Sequence, residues 1–139
     1  MKKMTVREIG KLLGEEVIGN ATVTGVNVDS RSVNPGDLFV CLIGERVDGH
    51  DFALKAIENG AAALMVSRKL DLNIPQVLVS DTLKGLFSFA KLYRRTLNFE
   101  AIGITGSNGK TSTKDILNSV LSRLGKTVAT HLNQNPDIR

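Results

Sequence analysis

Ile102-Gly103-Ile104-Thr105-Gly106-Ser107-Asn108-Gly109-Lys110-Thr111 leads a short apolar segment into a glycine-hinged turn and then a helix-forming run. Gly106 and Gly109 let the backbone bend closely around an anion with its N–H groups turned inward. A helix starting near Lys110 adds the positive end of its dipole. In that arrangement Lys110 reaches the β- and γ-phosphates of a nucleotide, and the Thr111 hydroxyl holds Mg²⁺. The longer form of this motif has glycine six residues before the lysine, where Ile104 stands, so this is the shorter G-x-x-G-K-T form. Ala101, Ile102 and Ile104 predict a buried strand before the turn, and Ile116, Leu117, Val120, Leu121 and Leu124 lie on one face of the helix after it. A solvated glycine turn gives such a hexapeptide by chance in roughly one chain of this size in a few hundred. The flanking pattern makes that rarer still, and nucleotide binding is the expectation.

At 139 residues and 42% apolar content the chain has enough material for a real core, as one ordinary domain or two small pieces. Its net charge of +4 is scattered, without the long basic runs or interleaved aromatics that grip nucleic acid, and an anionic small substrate explains the sign equally well. Cys41, the only cysteine, lies within the apolar stretch Leu38 to Ile43, which predicts a buried thiol and excludes an internal disulfide or a Cys-rich metal site. Met1-Lys2-Lys3 is basic, but no long apolar segment follows it. The longest apolar runs are about six residues, far below a membrane span, so a cytosolic location is expected.

Thr5-Val6-Arg7-Glu8 reads as a capping box, with Met4 and Ile9 placed for the accompanying hydrophobic contact. The helix it opens carries Ile9, Leu12 and Leu13 on one stripe, and Gly14 suits a left-handed stop. Val23, Val26 and Val28 then predict a strand through Asp29, Asn34-Pro35-Gly36 a type II turn, and Leu38 to Ile43 a buried strand. Gly44 to Gly49 reads as a loop. Asp51 is placed to cap a helix with Phe52, Ala53, Ala56 and Ile57 inward, ended by Gly60. Ala62 to Val66 and Val77 to Val79 are further strands, and Asp81 caps a helix with Leu83, Leu86, Phe87, Ala90 and Tyr93 inward. This order of elements is α/β. The polar stretch Arg94 to Glu100 places a domain boundary near 98, giving domains 1–97 and 98–139. Only a strand, a helix and a second strand (Thr127 to Thr130) fit after it, whereas a nucleotide-binding sheet needs several more, so the chain looks cut short.

A second constellation lies between residues 28 and 50. Ser30 and Arg31 at a strand end, facing a loop with Arg46 and His50, offer hydroxyl and cationic donors for a uracil edge or a diphosphate. The plainer alternative is that Asp29 and Arg31 pair at a strand end while His50 caps or packs beside the next helix.

Asp29-Ser30-Arg31, Pro35-Gly36-Asp37-Leu38-Phe39-Val40, the run Gly44 to Phe52, the run Gly60 to Val66 and Thr105 to Thr111 together resemble, in order and spacing, the Mur ligases of peptidoglycan synthesis. The resemblance spans nearly the whole chain. Ser107, the run Lys110 to Asp115, Leu64 to Arg68, Ile74-Pro75-Gln76 and Ser80-Asp81-Thr82 are most similar to the MurF branch, which adds D-alanyl-D-alanine to UDP-MurNAc-tripeptide. The MurE branch, usually with threonine at the position of Ser107, is the nearer alternative.

The resemblance implies a small N-terminal α/β domain of the Mur ligase type followed by the first β-loop-α-β of a P-loop ATPase domain. It implies that Val28, Ser30, Arg31, Glu45, Arg46 and Val47 line a UDP-precursor site. Gly106, Ser107, Asn108, Gly109, Lys110, Thr111 and Ser112 would form the ATP loop, with Lys110 and Thr111 catalytic and Thr111 on Mg²⁺. Asn133 and Asn135 fall in a tail resembling a substrate-side signature, Thr-x-x-Asn-x-Asn-Asn-x-Ile-Gly. The tail departs from it at Pro136, which lacks an N–H, and at Arg139, which resists positive φ.

The implied activity is ATP-dependent amide-bond formation through an acyl phosphate, in which Lys110 and the turn amides neutralise charge on the transferring phosphoryl group. The remaining Mg²⁺ carboxylate, a carbamylated lysine and an amine-binding domain would lie downstream, so the 139-residue chain alone is expected to be inactive. Two other readings compete: a non-catalytic module binding UDP-sugar precursors, and a small P-loop kinase or ATPase.

Overall fold

A computed structural model describes residues 1–130 of the chain, so Asn133, Asn135, Pro136 and Arg139 lie outside the described residues. The chain divides into two compact units, Met1–Asn98 and Phe99–Arg139.

In the first unit a short strand, β1 (Met4–Thr5), runs directly into α1 (Val6–Leu13). The expected capping box forms: Thr5 Oγ1 accepts the Glu8 N–H at 3.2 Å, and Glu8 Oε2 accepts the Thr5 N–H at 2.6 Å. That backbone donor holds the Glu8 carboxyl below the usual carboxylate range. Gly14, at φ +73°, ends the helix in the left-handed conformation that glycine adopts without steric cost.

Six strands follow: β2 (Val17–Ile18), β3 (Thr22–Val23), β4 (Gly25–Asn27), β5 (Asp37–Val40), β6 (Ala63–Val66) and β7 (Gln76–Leu78). The main sheet has the order β2-β7-β6-β5-β4, with β4 to β7 parallel and β2 antiparallel at its edge. The antiparallel pair β1–β3 forms a separate two-stranded sheet, with Met4 opposite Val23. Helix α2 (Ala53–Glu58) crosses between β5 and β6, and α3 (Thr82–Arg95) follows β7.

Every residue of β5 and β6 is buried, as parallel strands covered on both faces require. Because side chains alternate along a strand, β5 divides its residues between two cores. Leu38 and Val40 join Val6, Ile9, Met65, Val77 and Phe89, whereas Phe39, with Cys41 just beyond the strand, joins Ala53, Ala56, Leu64 and Val66.

Several local expectations are corrected. The strand expected to run through Asp29 is two elements in different sheets, and the second ends at Asn27 because the chain there turns into a hydrogen-bonded loop. The strand expected over Leu38 to Ile43 ends at Val40, and Ile43 is exposed, bridging to Asp48 across a hairpin-like loop. Asp48, not Asp51, caps the 3-10 turn Gly49–Phe52 that precedes α2, accepting the His50 N–H at 2.9 Å. Phe52 is exposed, and Ile57 is half-buried.

On α3 the buried side is Thr82, Gly85 and Phe89, with Leu86 and Tyr93 half-buried, while Leu83, Phe87 and Ala90 face outward. The apolar count misplaced this face because two of its members are not large apolar residues. Gly85 lets the helix approach closely, since a Cβ there would meet Val79 at 3.2 Å and Met65 Sδ at 3.3 Å. Thr82 Oγ1 donates to the Cys41 carbonyl at 2.9 Å. Asn34-Pro35-Gly36 turns as expected, with Gly36 at φ +91° and the Asp37 N–H on the Asn34 carbonyl at 3.0 Å.

In the second unit α4 (Lys110–Leu121) begins where expected, behind Gly109 at φ +74°. Among the described residues no strand forms over 99–109 or 122–130; Ala101 and Ile102 are exposed and Ile104 is half-buried. A strand needs neighbours to satisfy its backbone, and this unit's described residues supply none. No described helix is long and apolar enough to cross a membrane.

Candidate functional site

An open cleft of about 630 Å³ lies in the first unit, beyond the carboxyl ends of β4 and β5, where open parallel sheets place their ligand sites. One wall is the loop leaving β4. There the Asn27 amide organises the turn: its Oδ1 accepts the Asp29 N–H at 3.1 Å, and its Nδ2 donates to the Ser32 carbonyl at 2.7 Å. This turn presents Val28, Asp29, Ser30 and Arg31 to the cleft. Asn59 Nδ2 ties it to the body by donating to the Ser30 carbonyl at 2.7 Å.

The opposite wall comes from the loop after β5 and the turn into α2, through Leu42, Gly44, Val47, Gly49, Phe52 and Lys55, with Phe39 at the base. Gly49 lies so flat on the chain that a Cβ would stand 2.6 Å from the Leu42 carbonyl oxygen, and its N–H donates to that oxygen at 2.8 Å. The lining is mostly apolar with a few polar groups, the composition usual for small-molecule sites.

Arg31 is engaged locally. Its Nε and Nη2 donate to Asp29 Oδ1 and Oδ2 at 2.9 and 2.7 Å, and its N–H to Oδ1 at 3.0 Å. This fork draws the Asp29 carboxyl down to about 2. The strand-end pairing weighed as the plainer alternative is therefore present, and it also fixes Arg31 at the cleft.

Of the expected uridylate residues, Val28, Ser30, Arg31 and Val47 come together in the cleft. Glu45 and Arg46 are exposed on the loop tip and do not line it. His50, weighed as a cationic donor or as a residue capping or packing beside the next helix, is 5% exposed and turned into the protein, so the donor role is corrected and the inward alternative is the one observed. Phe39, Leu42, Phe52 and Lys55 were missed. Only the Gly44 to Gly49 loop with Phe52 close behind it marked that wall in the sequence.

The second unit holds the glycine turn. Lys110 Nζ donates to the Gly106 carbonyl at 2.7 Å, closing the loop on itself, and Thr113 N–H returns to Gly109 O at 2.9 Å. The first turn of a helix has backbone N–H groups without acceptors in the helix, and here no side chain caps them. Ser107, Asn108, Thr111 and Ser112 are exposed. Gly109 is left-handed with open space around it, so the donor set suits an anion's oxygens. Among the described residues no group of three or more His, Cys, Asp or Glu side chains is placed to hold a metal ion.

Two family models match the chain: "Mur ligase family, catalytic domain" over residues 22–87 and "Mur ligase middle domain" over residues 104–138. The chain is 41% identical over 139 residues to the UDP-N-acetylmuramoyl-tripeptide--D-alanyl-D-alanine ligase of Escherichia coli (strain K12), covering 99% of this chain and 31% of the relative. It is 41% identical over 112 residues to a UDP-N-acetylmuramoyl-L-alanyl-D-glutamate--2,6-diaminopimelate ligase of Geobacillus thermodenitrificans, covering 79% of this chain and 23% of the relative. Its fold is similar to a crystal structure of MurF from Acinetobacter baumannii, with a TM-score of 0.85 at 33% identity over 96% of this chain and 30% of that one. It is also similar to MurF ligase from Thermotoga maritima in complex with ADP, with a TM-score of 0.60 at 34% identity over 81% and 24% of the two chains. The chain thus spans less than a third of the length of these relatives.

Proposed function

The chain belongs to the Mur ligase family, and from that premise we propose that residues 1–97 recognise the UDP end of a muramoyl-peptide precursor and that residues 98–139 open an ATP-binding domain. The activity served is ATP-dependent addition of D-alanyl-D-alanine to UDP-MurNAc-tripeptide. The observation carrying this branch is the alignment to the D-alanyl-D-alanine ligase, which runs through 99% of the chain, including the Ser107 turn.

The cleft supplies what such a precursor asks for. Val28, Phe39, Leu42, Val47 and Phe52 remove apolar ring surface from water, while Ser30, Arg31 and Lys55 offer donors for carbonyl and phosphate oxygens. In the second unit Gly106 to Ser112 would hold ATP. Lys110 would exchange its bond to the Gly106 carbonyl for one to a phosphate oxygen, and Thr111 would contribute to Mg²⁺. ATP, when bound, supplies the phosphoryl group that activates a carboxylate for attack by an amine.

A second reading, addition of diaminopimelate to UDP-MurNAc-L-alanyl-D-glutamate, is favoured by the equal identity of those ligases over 112 residues. Calorimetric titration separates the possibilities. UDP and UDP-MurNAc-tripeptide should compete for one site, the tripeptide precursor should bind more tightly than the L-alanyl-D-glutamate precursor, and Phe52→Ala should weaken both by at least about fivefold, the low end for losing an aromatic platform under a base. The reverse peptide preference would favour diaminopimelate addition. No UDP binding, or an unchanged affinity in Phe52→Ala, would overturn the cleft assignment.

A further inference from the structure

We propose that His50 is a positioning residue for the cleft, latching the loop over residues 44–49 to the chain segment that leaves β6. The inference rests on the nucleotide reading of the cleft given above and deepens it.

The His50 side chain is 1% exposed, and both ring nitrogens are engaged. Nε2 accepts the Ser67 backbone N–H at 3.0 Å, with Ser67 Oγ at 3.3 Å. Nδ1 stands 2.6 Å from Asp48 Oδ1, the oxygen that also accepts the His50 backbone N–H. Asp48 Oδ2 in turn accepts from Arg68 Nη1 at 2.9 Å. A backbone amide can only donate, so Nε2 must carry the lone pair and Nδ1 the proton. The ring thus joins two elements through one tautomer, and Arg68 closes the chain back to the loop.

What this latch holds is the cleft wall. Asp48 bridges to Ile43 across the loop, Gly44 N–H donates to Val47 O at 2.9 Å, and Gly49 N–H to Leu42 O at 2.8 Å. Gly44, Val47 and Gly49 all face the cleft. The carboxylate end of the latch is ionised at neutral pH, because the His50 backbone N–H, then its ring, hold Asp48 well below the usual carboxylate range. Burying an imidazole costs free energy that an apolar side chain of similar size would not. Its two directed bonds set where the wall stands.

The test measures amide hydrogen exchange by NMR and UDP affinity in the full chain, for the wild type and four variants. His50→Gln places an amide oxygen where Nε2 stands, so it should keep Ser67 N–H protection near the wild-type level and, having lost only the Asp48 bond, weaken UDP binding less than His50→Asn. His50→Asn reaches only Asp48, and it and His50→Ala should speed Ser67 exchange and weaken UDP binding by about fivefold or more, the consequence of leaving a part-buried N–H unpaired. Asp48, its side chain 29% exposed, is the other end of the latch, and Asp48→Ala should weaken UDP by about threefold or more.

Faster exchange with unchanged UDP affinity in these variants would overturn the proposal, leaving a merely structural histidine. Equal affinities for Gln and Asn at position 50 would do the same. A wild-type chain that shows Ser67 protection but no UDP binding would instead overturn the nucleotide reading, and the affinity part of this inference with it.

Discussion

Gly49→Ala adds a single carbon at the point where the cleft wall lies against β5's continuation. Built on the observed backbone, that carbon stands 2.6 Å from Leu42 O, 2.7 Å from Leu42 N and 2.9 Å from Cys41 C, all main-chain atoms. To reach ordinary contact the loop must retreat by about 0.8 Å, which strains or breaks the Gly49 N–H to Leu42 O bond of 2.8 Å. Overpacking of this kind costs about 1–3 kcal/mol, and the lost bond about 1 kcal/mol more. For a unit of this size each kcal/mol moves the midpoint by about 4–8 °C, so Tm should fall by at least about 8 °C. Tyr93 is the only tyrosine, there is no tryptophan, and its ring packs on Phe89 in the first unit, so tyrosine emission follows that unit alone. UDP affinity should fall with Tm, because Gly49 and its neighbour Val47 both face the cleft. A variant with wild-type Tm and UDP affinity would refute the reasoning that this wall is fixed by main-chain contact.

Three further outcomes follow. The Asp29 carboxyl, drawn down to about 2 by Arg31, should titrate near that value by NMR and return toward about 3.9 in Arg31→Ala; because its folded pKa is depressed, its stabilising contribution is present above the unfolded value and disappears as pH falls through about 2. Burial pushes the Cys41 thiol up to about 12, so a thiol reagent at pH 8 should modify the native chain only at the rate at which it unfolds, and rapid native labelling would contradict the buried assignment. Gln76, 1% exposed, bonds both main-chain groups of Leu70 at 2.8 and 2.9 Å, so Gln76→Leu should cost about 2–4 kcal/mol in denaturant unfolding, and a neutral result would mean that Leu70 finds other partners.

Features set by contiguous residues were legible in the sequence. The Thr5/Glu8 box, the Pro35-Gly36 turn, the Asp81 cap and the start of α4 behind Gly109 each depend on a few neighbours whose chemistry is local. Features decided by distant packing were not. The buried face of α3 turns on Gly85 meeting Met65 and Val79 and on Thr82 bonding Cys41, contacts that no apolar periodicity encodes. The strands expected beside the glycine turn need partner strands, and the described residues around them contain none. At the cleft, Val28, Ser30, Arg31 and Val47 were readable from their loops. Phe39, Leu42, Phe52 and Lys55 join them only because β5 and α2 fold against the same turn. For His50 the sequence left a ligand donor and an inward-packed residue both open, and its bond to Ser67, from the segment after β6, decides for the second.

The central claim is that the first unit recognises a uridine diphosphate in the cleft beyond β4 and β5, and titrating UDP into the ¹⁵N-labelled chain tests it most directly. The account predicts saturable shifts at the amides of Val28, Ser30, Gly44, Val47 and Gly49, with the strands of the opposite sheet edge unmoved. Shifts confined to Gly106–Ser112, or none at all, would contradict it.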